Sequence, residues 1–261
     1  MGLTDAPLQR RAAGTRRKRR ANPPSPPVET VAASPTLHPP DGPVYAPDRL
    51  EEGIAALSAE PVFGAILDRA GAPHFRRRRN GFPTLLHIIL EQQVSIDAAA
   101  AMHRRLAGLC RPLTPEPFLA LDDPTLRACG FSRQKMDYAR RLAQAVASGA
   151  FDFDRLETIE DDAALAELIA LKGIGRWSAE IYLIFALGRS DIWPADDLGL
   201  QLAVADCFGL EARPSERALR DIGDQWAPWR SVAACLFWQS YLHARNRAAP
   251  QLPAELYAAS A

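Results

Sequence analysis

This chain has little cysteine, and none of it is closely paired. Cys110, Cys129, Cys207 and Cys235 are the only four in 261 residues, and no two form a CxxC. That excludes a paired-cysteine zinc site and a disulfide framework, and it suits reduced thiols in an intracellular protein. No uninterrupted apolar run is long enough to span a bilayer, so no membrane partner is expected. The apolar stretch of a secretory signal is missing as well. No segment alternates polar and apolar residues for the length of a strand, and none repeats another. Net charge is also absent, with 31 basic and 31 acidic residues. The balance is uneven, however. Residues 1–20 hold seven Arg or Lys against Asp5 alone, about +6, which leaves about −6 on residues 21–261. A nucleic-acid surface on the body would therefore be a local patch rather than a global field.

What is present is apolar and helical. Hydrophobic residues make up 48% of the chain, enough for a sizeable core in one large domain or two small ones. Residues 1–47 are basic and then Pro-rich, cannot bury a core, and are expected to be a disordered tail. Its Arg/Lys block reads equally as a loose nucleic-acid contact, a nuclear address or a solvated tail of no defined role. The Pro density argues against an amphipathic mitochondrial presequence. Across residues 48–261 apolar side chains recur at spacings of three and four, as in LEEGIAALSAE, PVFGAILDRAG and FPTLLHIILEQQ. The expected fold is all-α, in two helical lobes. The run Arg76–Arg79 between two of these helices reads as a solvated loop first and as a phosphate contact second. Ser95 is placed to cap the helix IDAAAAMHRRL. Met136, Ala139, Leu142 and Val146 share one face and read as core, and a last long helix is expected from Pro228 to about Arg247.

The chain is organised around Leu171–Gln201, LKGIGRWSAEIYLIFALGRSDIWPADDLGLQ. Leu165, Leu168 and Ile169 form an apolar stripe before it, and Trp177, Ile181, Ile184 and Phe185 form one within it. The pattern is helix, Gly173/Gly175 hairpin, helix, over about residues 162–187. Amides around Gly173–Arg176 would point outward from a helix N-terminus, which favours an anion such as phosphate. A glycine-rich cap joining two core helices fits the same residues. One helix later, Trp193-Pro194 leads to the acid pair Asp196-Asp197 at another helix start, where either acid suits a cap.

Five blocks in order resemble the helix-hairpin-helix, Gly/Pro-Asp superfamily of DNA glycosylases, and within it the DNA-3-methyladenine glycosylase II branch. They are LLHIILEQQVS (85–95), GFSRQKMDYARRLA (130–143), LKGIGRWSAEIYLIFALG (171–188), PADDLGLQ (194–201) and WAPWRSVAACLFW (226–238), within roughly residues 48–245. The resemblance implies base-excision repair: hydrolysis of the N-glycosidic bond of a flipped, alkylated purine in duplex DNA. By it Asp197 is the catalytic acid, with Asp196 a cap or structural acid. Trp177, Ile181, Trp193 and Trp238 would form the base pocket, whereas Trp226 and Trp229 read as core filler. Gln93 would fill the gap left by the extruded nucleotide. Ser95, Lys172, Gly173, Gly175, Arg176 and Ser178 would meet the DNA. Two departures are visible: Ile181 stands where the branch often has an aromatic, and Lys172 replaces the more usual hairpin proline.

Bifunctional relatives carry a Schiff-base lysine two residues past the second hairpin glycine; Trp177 stands there, which implies a monofunctional enzyme. The clustered C-terminal cysteines of iron–sulfur members are missing. No cofactor is expected to be required, a monovalent cation at the hairpin being the one ion the resemblance admits. The expected state is a monomer acting in cytoplasm or nucleoid, or in the nucleus of a eukaryote. Two other readings stay open: a non-catalytic helix-hairpin-helix DNA-binding protein whose acids only cap, and a glycosylase for other damaged or mismatched bases.

Overall fold

Six short polar side chains start helices here. Ser95, Asp122, Ser132, Asp152, Asp197 and Ser215 each accept a hydrogen bond from an amide two or three residues ahead, at 2.7–3.2 Å. Each thereby satisfies one of the amides a helix start leaves without a partner. Proline does the complementary work at the first or second position of four helices, where no amide is needed.

A computed structural model describes residues 45–258. They form α1 (Leu50–Leu57), α2 (Pro61–Ala70), α3 (Phe82–Glu91), α4 (Ile96–Leu109), α5 (Pro115–Leu119), α6 (Asp123–Ala128) and α7 (Arg133–Ala147). Then come α8 (Phe153–Thr158), α9 (Asp161–Ala170), α10 (Arg176–Phe185), α11 (Leu198–Phe208), α12 (Glu216–Gly223) and α13 (Arg230–Ala244). Single 3-10 turns lie at Asp224–Trp226 and Ala254–Leu256. Among the described residues the only β pairing is two isolated bridges, Tyr45 with Arg76 and Arg78 with Tyr257. The fold is all-α. The expected tail at 1–47 lies outside the described residues except for its end, where Tyr45 and Ala46 already belong to the folded body. Ala46 is fully buried and its amide donates to Phe75 O at 2.8 Å.

Two apolar cores underlie the helices. One gathers α3, α4, α7, α9 and α10 around Leu85, Ile89, Leu106, Leu168, Tyr182 and Leu183. The second packs Phe63, Trp193, Leu200, Val204, Trp226 and Phe237 from α2, α11, α13 and the loops before α11 and α13. Among the described residues only Trp238 is half-buried against both.

Four expectations are corrected. Helix α13 begins at Arg230 rather than Pro228, because Trp229 N turns back to Trp226 O at 2.7 Å, and it ends at Ala244, not near Arg247. Ile169 is 40% exposed, on the outer side of α9, while Leu165 and Leu168 point inward. Trp229 lies at the edge of the second core rather than inside it, half-buried beneath the Arg49 guanidinium, 4.7 Å from its ring. The arginine run is structural, not a solvated loop. Arg76 lies 3.9 Å over the Tyr257 ring, Arg77 donates to Ala186 O at the end of α10, and Arg78 pairs with Glu91. Only Arg79 is exposed. The long aliphatic stems let arginines pack this way while each head finds a carbonyl, carboxylate or ring.

Candidate active site

The hairpin between α9 and α10 is a tight turn closed by Ile174 N donating to Leu171 O at 3.0 Å. Gly173 has φ +94°, a conformation open to glycine, and a Cβ there would lie 2.1 Å from Cγ of Tyr138. The Tyr138 ring, from α7, therefore lies directly against the hairpin backbone. Lys172, Gly175 and Arg176 are exposed at the start of α10, where outward amides and the helix dipole favour an anion. Arg176 also pairs with buried Glu180 at 2.9 Å. Burial pushes the Glu180 carboxyl up, against the pull of Arg220 and Arg176. Arg220 reaches Glu180 at 3.2 Å and Trp193 O at 3.4 Å, so it ties α12, α10 and the link before α11 together. Ser178 is a correction: it is 2% exposed and faces inward, so it is not at the DNA-facing surface.

The turn between α3 and α4 projects beside this hairpin. Gln93 is exposed with φ +58°, a rare conformation for a non-glycine residue, and the kind of strain that gathers at functional sites. Val94 and Ile96 flank it at 41% and 39% exposure, and Ser95 caps α4 from the same turn. Sequence reasoning missed what holds this turn. Gln92 Nε2 donates to Gly173 O at 2.9 Å and to Ser178 Oγ at 3.1 Å, joining this turn to the hairpin. Buried Lys135 donates to Leu90 O at the end of α3, and burial lowers its pKa. A helix-end amide and a helical lysine carry no distinctive spacing, so nothing in the sequence singled them out.

Behind the Gln93 turn lies a buried charged cluster. Arg78 meets both Glu91 oxygens, at 3.2 and 3.3 Å. His87 and His103 are fully buried, edge to face at 5.1 Å, with Glu91 3.4 Å from His87 and Glu255 3.6 Å from His103. Burial pushes the Glu91 carboxyl up, but Arg78 and His87 outweigh it and hold it at about 2, below the usual 4.5. Burial, with His87 and Arg104 nearby, depresses His103 from 6.5 to about 3. Both folded values are depressed, so the unfolded chain takes up protons first as pH falls. Stability should drop below pH 6.5 through His103, and further below pH 4.5 through Glu91. Urea midpoints measured against pH check this: His103→Leu should flatten the slope between pH 6.5 and 4.5, and an unchanged slope there contradicts it.

The carboxylate of Asp197 lies where the two cores meet. Its Oδ1 accepts from Leu200 N at 2.7 Å and Trp238 Nε1 at 2.8 Å, and its Oδ2 accepts from Trp177 Nε1 at 3.0 Å. So the cap is Asp197 itself, and Asp196, exposed, is not the capping acid. The capping carboxylate is also the one the two indoles reach, so the cap and the tryptophan pair share one geometry. Trp177 and Trp238 are half-buried and converge here. Ile181, one turn along α10 from Trp177, is buried in the first core at 5% exposure. Trp193 is a correction: it packs on Trp226 in the second core at 5.2 Å, and its indole N–H is taken by Leu219 O at 2.7 Å. Five tryptophans are indistinguishable by composition, and only packing separates those two from this one.

Among the described residues no three His, Cys, Asp or Glu side chains could hold a metal ion. At the hairpin, backbone carbonyls would have to hold the monovalent cation that the resemblance admits. Gly173 O and Leu171 O each accept one bond, from Gln92 and Ile174, and each keeps a second lone pair.

A helical hairpin, an exposed turn beside it and a capped aspartate where two helical cores meet fit a DNA-repair class, and the chain belongs to it. It is a member of the HhH-GPD superfamily of base excision DNA repair proteins, whose family profile matches residues 86–228. Among particular relatives, DNA-3-methyladenine glycosylase 1 of Schizosaccharomyces pombe is 30% identical over 167 residues, 62% of this chain and 73% of that protein. The S. pombe 3-methyladenine DNA glycosylase solved in complex with abasic DNA superposes with a TM-score of 0.68 at 28% identity, covering 72% of this chain and 95% of that one. The Bacillus halodurans DNA-3-methyladenine glycosidase gives 0.63 at 32% identity, with 76% and 91% covered.

Proposed function

We propose that this protein is a monofunctional DNA glycosylase that flips alkylated purines, 3-methyladenine and 7-methylguanine, out of damaged duplex DNA and hydrolyses their N-glycosidic bond. The observation that carries this reading is the Asp197 carboxylate set between two tryptophans, beside the hairpin and the Gln93 turn that would act as the wedge. Breaking the bond builds positive charge on the deoxyribose, and a fixed carboxylate next to C1′ stabilises that charge and orients the attacking water. Alkylated purines carry positive charge on the base, so the leaving group needs no strong general acid. Trp177 and Trp238 supply electron-rich faces for such a ring, worth about 0.5–2 kcal/mol per cation–π contact.

The other parts serve the flip. Amides at the start of α10, with Lys172 and Arg176, would grip a phosphate, and a monovalent cation on the hairpin carbonyls would add to that attraction. Gln93, already in its strained conformation, would fill the vacated stack. Such a protein works wherever the cell keeps its DNA.

Lysine is scarce: the chain has only Lys18, Lys135 and Lys172. Lys135 is buried on a carbonyl, and Trp177 occupies the position of the Schiff-base amine in bifunctional relatives. With methylated duplex DNA the expected products are free 3-methyladenine and an intact strand that breaks only on adding alkali. Borohydride trapping should yield no covalent protein–DNA adduct; an adduct would end the monofunctional reading. Mass spectrometry of the released bases tests the substrate class, and release of only oxidised or mismatched bases would replace it.

A further inference from the structure

We propose that Trp177 and Trp238 are positioning residues that aim the Asp197 carboxylate through their indole N–H groups, a role separate from stacking on a base. The inference rests on Asp197 being the catalytic acid. Two indoles from different helices, 20 and 41 residues away in sequence, spend their only donors on one side chain. With the Leu200 amide they surround it with three N–H groups.

These donors are fixed before any substrate arrives. Trp238 is stacked on Phe185 at 5.7 Å and 29° and meets the edge of Phe75 at 6.2 Å, and it is wedged against both cores. Trp177 packs against the first core from the opening turn of α10. Neither ring can turn its N–H away without breaking that packing. Each carboxylate oxygen offers about two lone-pair directions. Oδ1 has both filled, by Leu200 and Trp238, whereas Oδ2 has one filled, by Trp177. Oδ2 is thus the oxygen left to face the sugar. Gly199 keeps the arrangement uncrowded, since a Cβ there would lie 3.2 Å from Oδ1 and 3.7 Å from Trp238 Nε1. With both indole donors committed, these two walls offer a base only their faces, so they select by charge and stacking.

The decisive experiment replaces each tryptophan in turn by 3-benzothienylalanine, which keeps the bicyclic ring and exchanges N–H for sulfur. Single-turnover excision from methylated duplex should slow about ten- to a hundredfold, the scale of a hydrogen bond to a charged group. Affinity for abasic-site duplex, and the ratio of 3-methyladenine to 7-methylguanine released, should stay at the parent values. In an Asp197→Asn background the same exchange should leave the residual rate unchanged, because the tryptophans act through that carboxylate. Gly199→Ala gives a second measurement at a helical position where alanine is well tolerated: excision should slow several-fold with no fall in thermal midpoint. If the ring exchanges and Gly199→Ala are silent while Asp197→Asn is nearly inactive, the positioning role is wrong and the catalytic reading stands. Equal slowing in both backgrounds would also overturn it, as a stacking effect. Parent-rate excision by Asp197→Asn removes the catalytic reading and this inference together.

Discussion

Asp197→Asn should lose at least about a hundredfold in excision rate while keeping its affinity for damaged DNA. An oxocarbenium-like centre facing a neutral amide loses several kcal/mol of stabilisation, by comparison with other preorganised electrostatic sites. The structure adds a second reason. Asparagine's carbonyl can serve Leu200 N and Trp238 Nε1, but its NH2 would then face the Trp177 N–H across about 3.0 Å, donor against donor. The variant should therefore lose some stability as well, and its melting curve must be taken beside its kinetics. Asp196→Asn, on an exposed acid that caps nothing, should stay near the parent in both. Binding could tighten slightly in Asp197→Asn, because a negative charge near phosphates is gone. Single-turnover release of 3-methyladenine is the measurement, and equal rates for parent and Asp197→Asn would reduce Asp197 to a helix cap.

Gly173→Ala should be among the most damaging single-methyl additions in the protein. Its φ of +94° strains any side chain, and the new Cβ would overlap three ring carbons of Tyr138 at 2.1, 2.4 and 2.6 Å. Strain and overpacking together suggest a loss of about 2–4 kcal/mol, or a thermal midpoint lower by roughly 5–15 °C. Since Gly173 O holds the Gln92 amide, the wedge turn should loosen too, and DNA affinity should fall with stability. Tyr138→Ala clears the overlap, so the double variant should lose less than the two single losses added. Gly175→Ala is the contrast: φ is −85° and a Cβ there meets nothing within 4 Å, so its stability should be close to the parent's. Two hairpin glycines with equal losses would contradict this account.

That pair of glycines marks where reading the chain reaches its limit. Helix content, the hairpin, the caps at Ser95 and at the acid pair, and the likeness to a glycosylase family were all legible, because they rest on local spacing and on short motifs. Asp197 was legible as one of two acids suited to a cap, and the structure shows that it, not Asp196, caps α11. Not legible was which tryptophans reach the Asp197 carboxylate. Trp193 looked like Trp177 until packing put its N–H on Leu219 O. Ser178 looked like a hairpin contact until Gln92 was seen to occupy it from α3, 86 residues away. The arginine run looked like solvent-facing charge, and its partners Asp48, Glu91, Ala186 and Tyr257 come from four separate places in the chain.

By itself, then, the sequence determined an all-helical body, the position of the hairpin and the acid pair before α11, since a helix period, a turn glycine and a capping aspartate act within a few residues of themselves. Only the tertiary structure decided which oxygen of Asp197 is left open, which glycine cannot carry a side chain and which indoles reach the carboxylate. Those depend on distances between helices that are far apart along the chain, and such distances follow from how two cores pack against each other rather than from any local pattern.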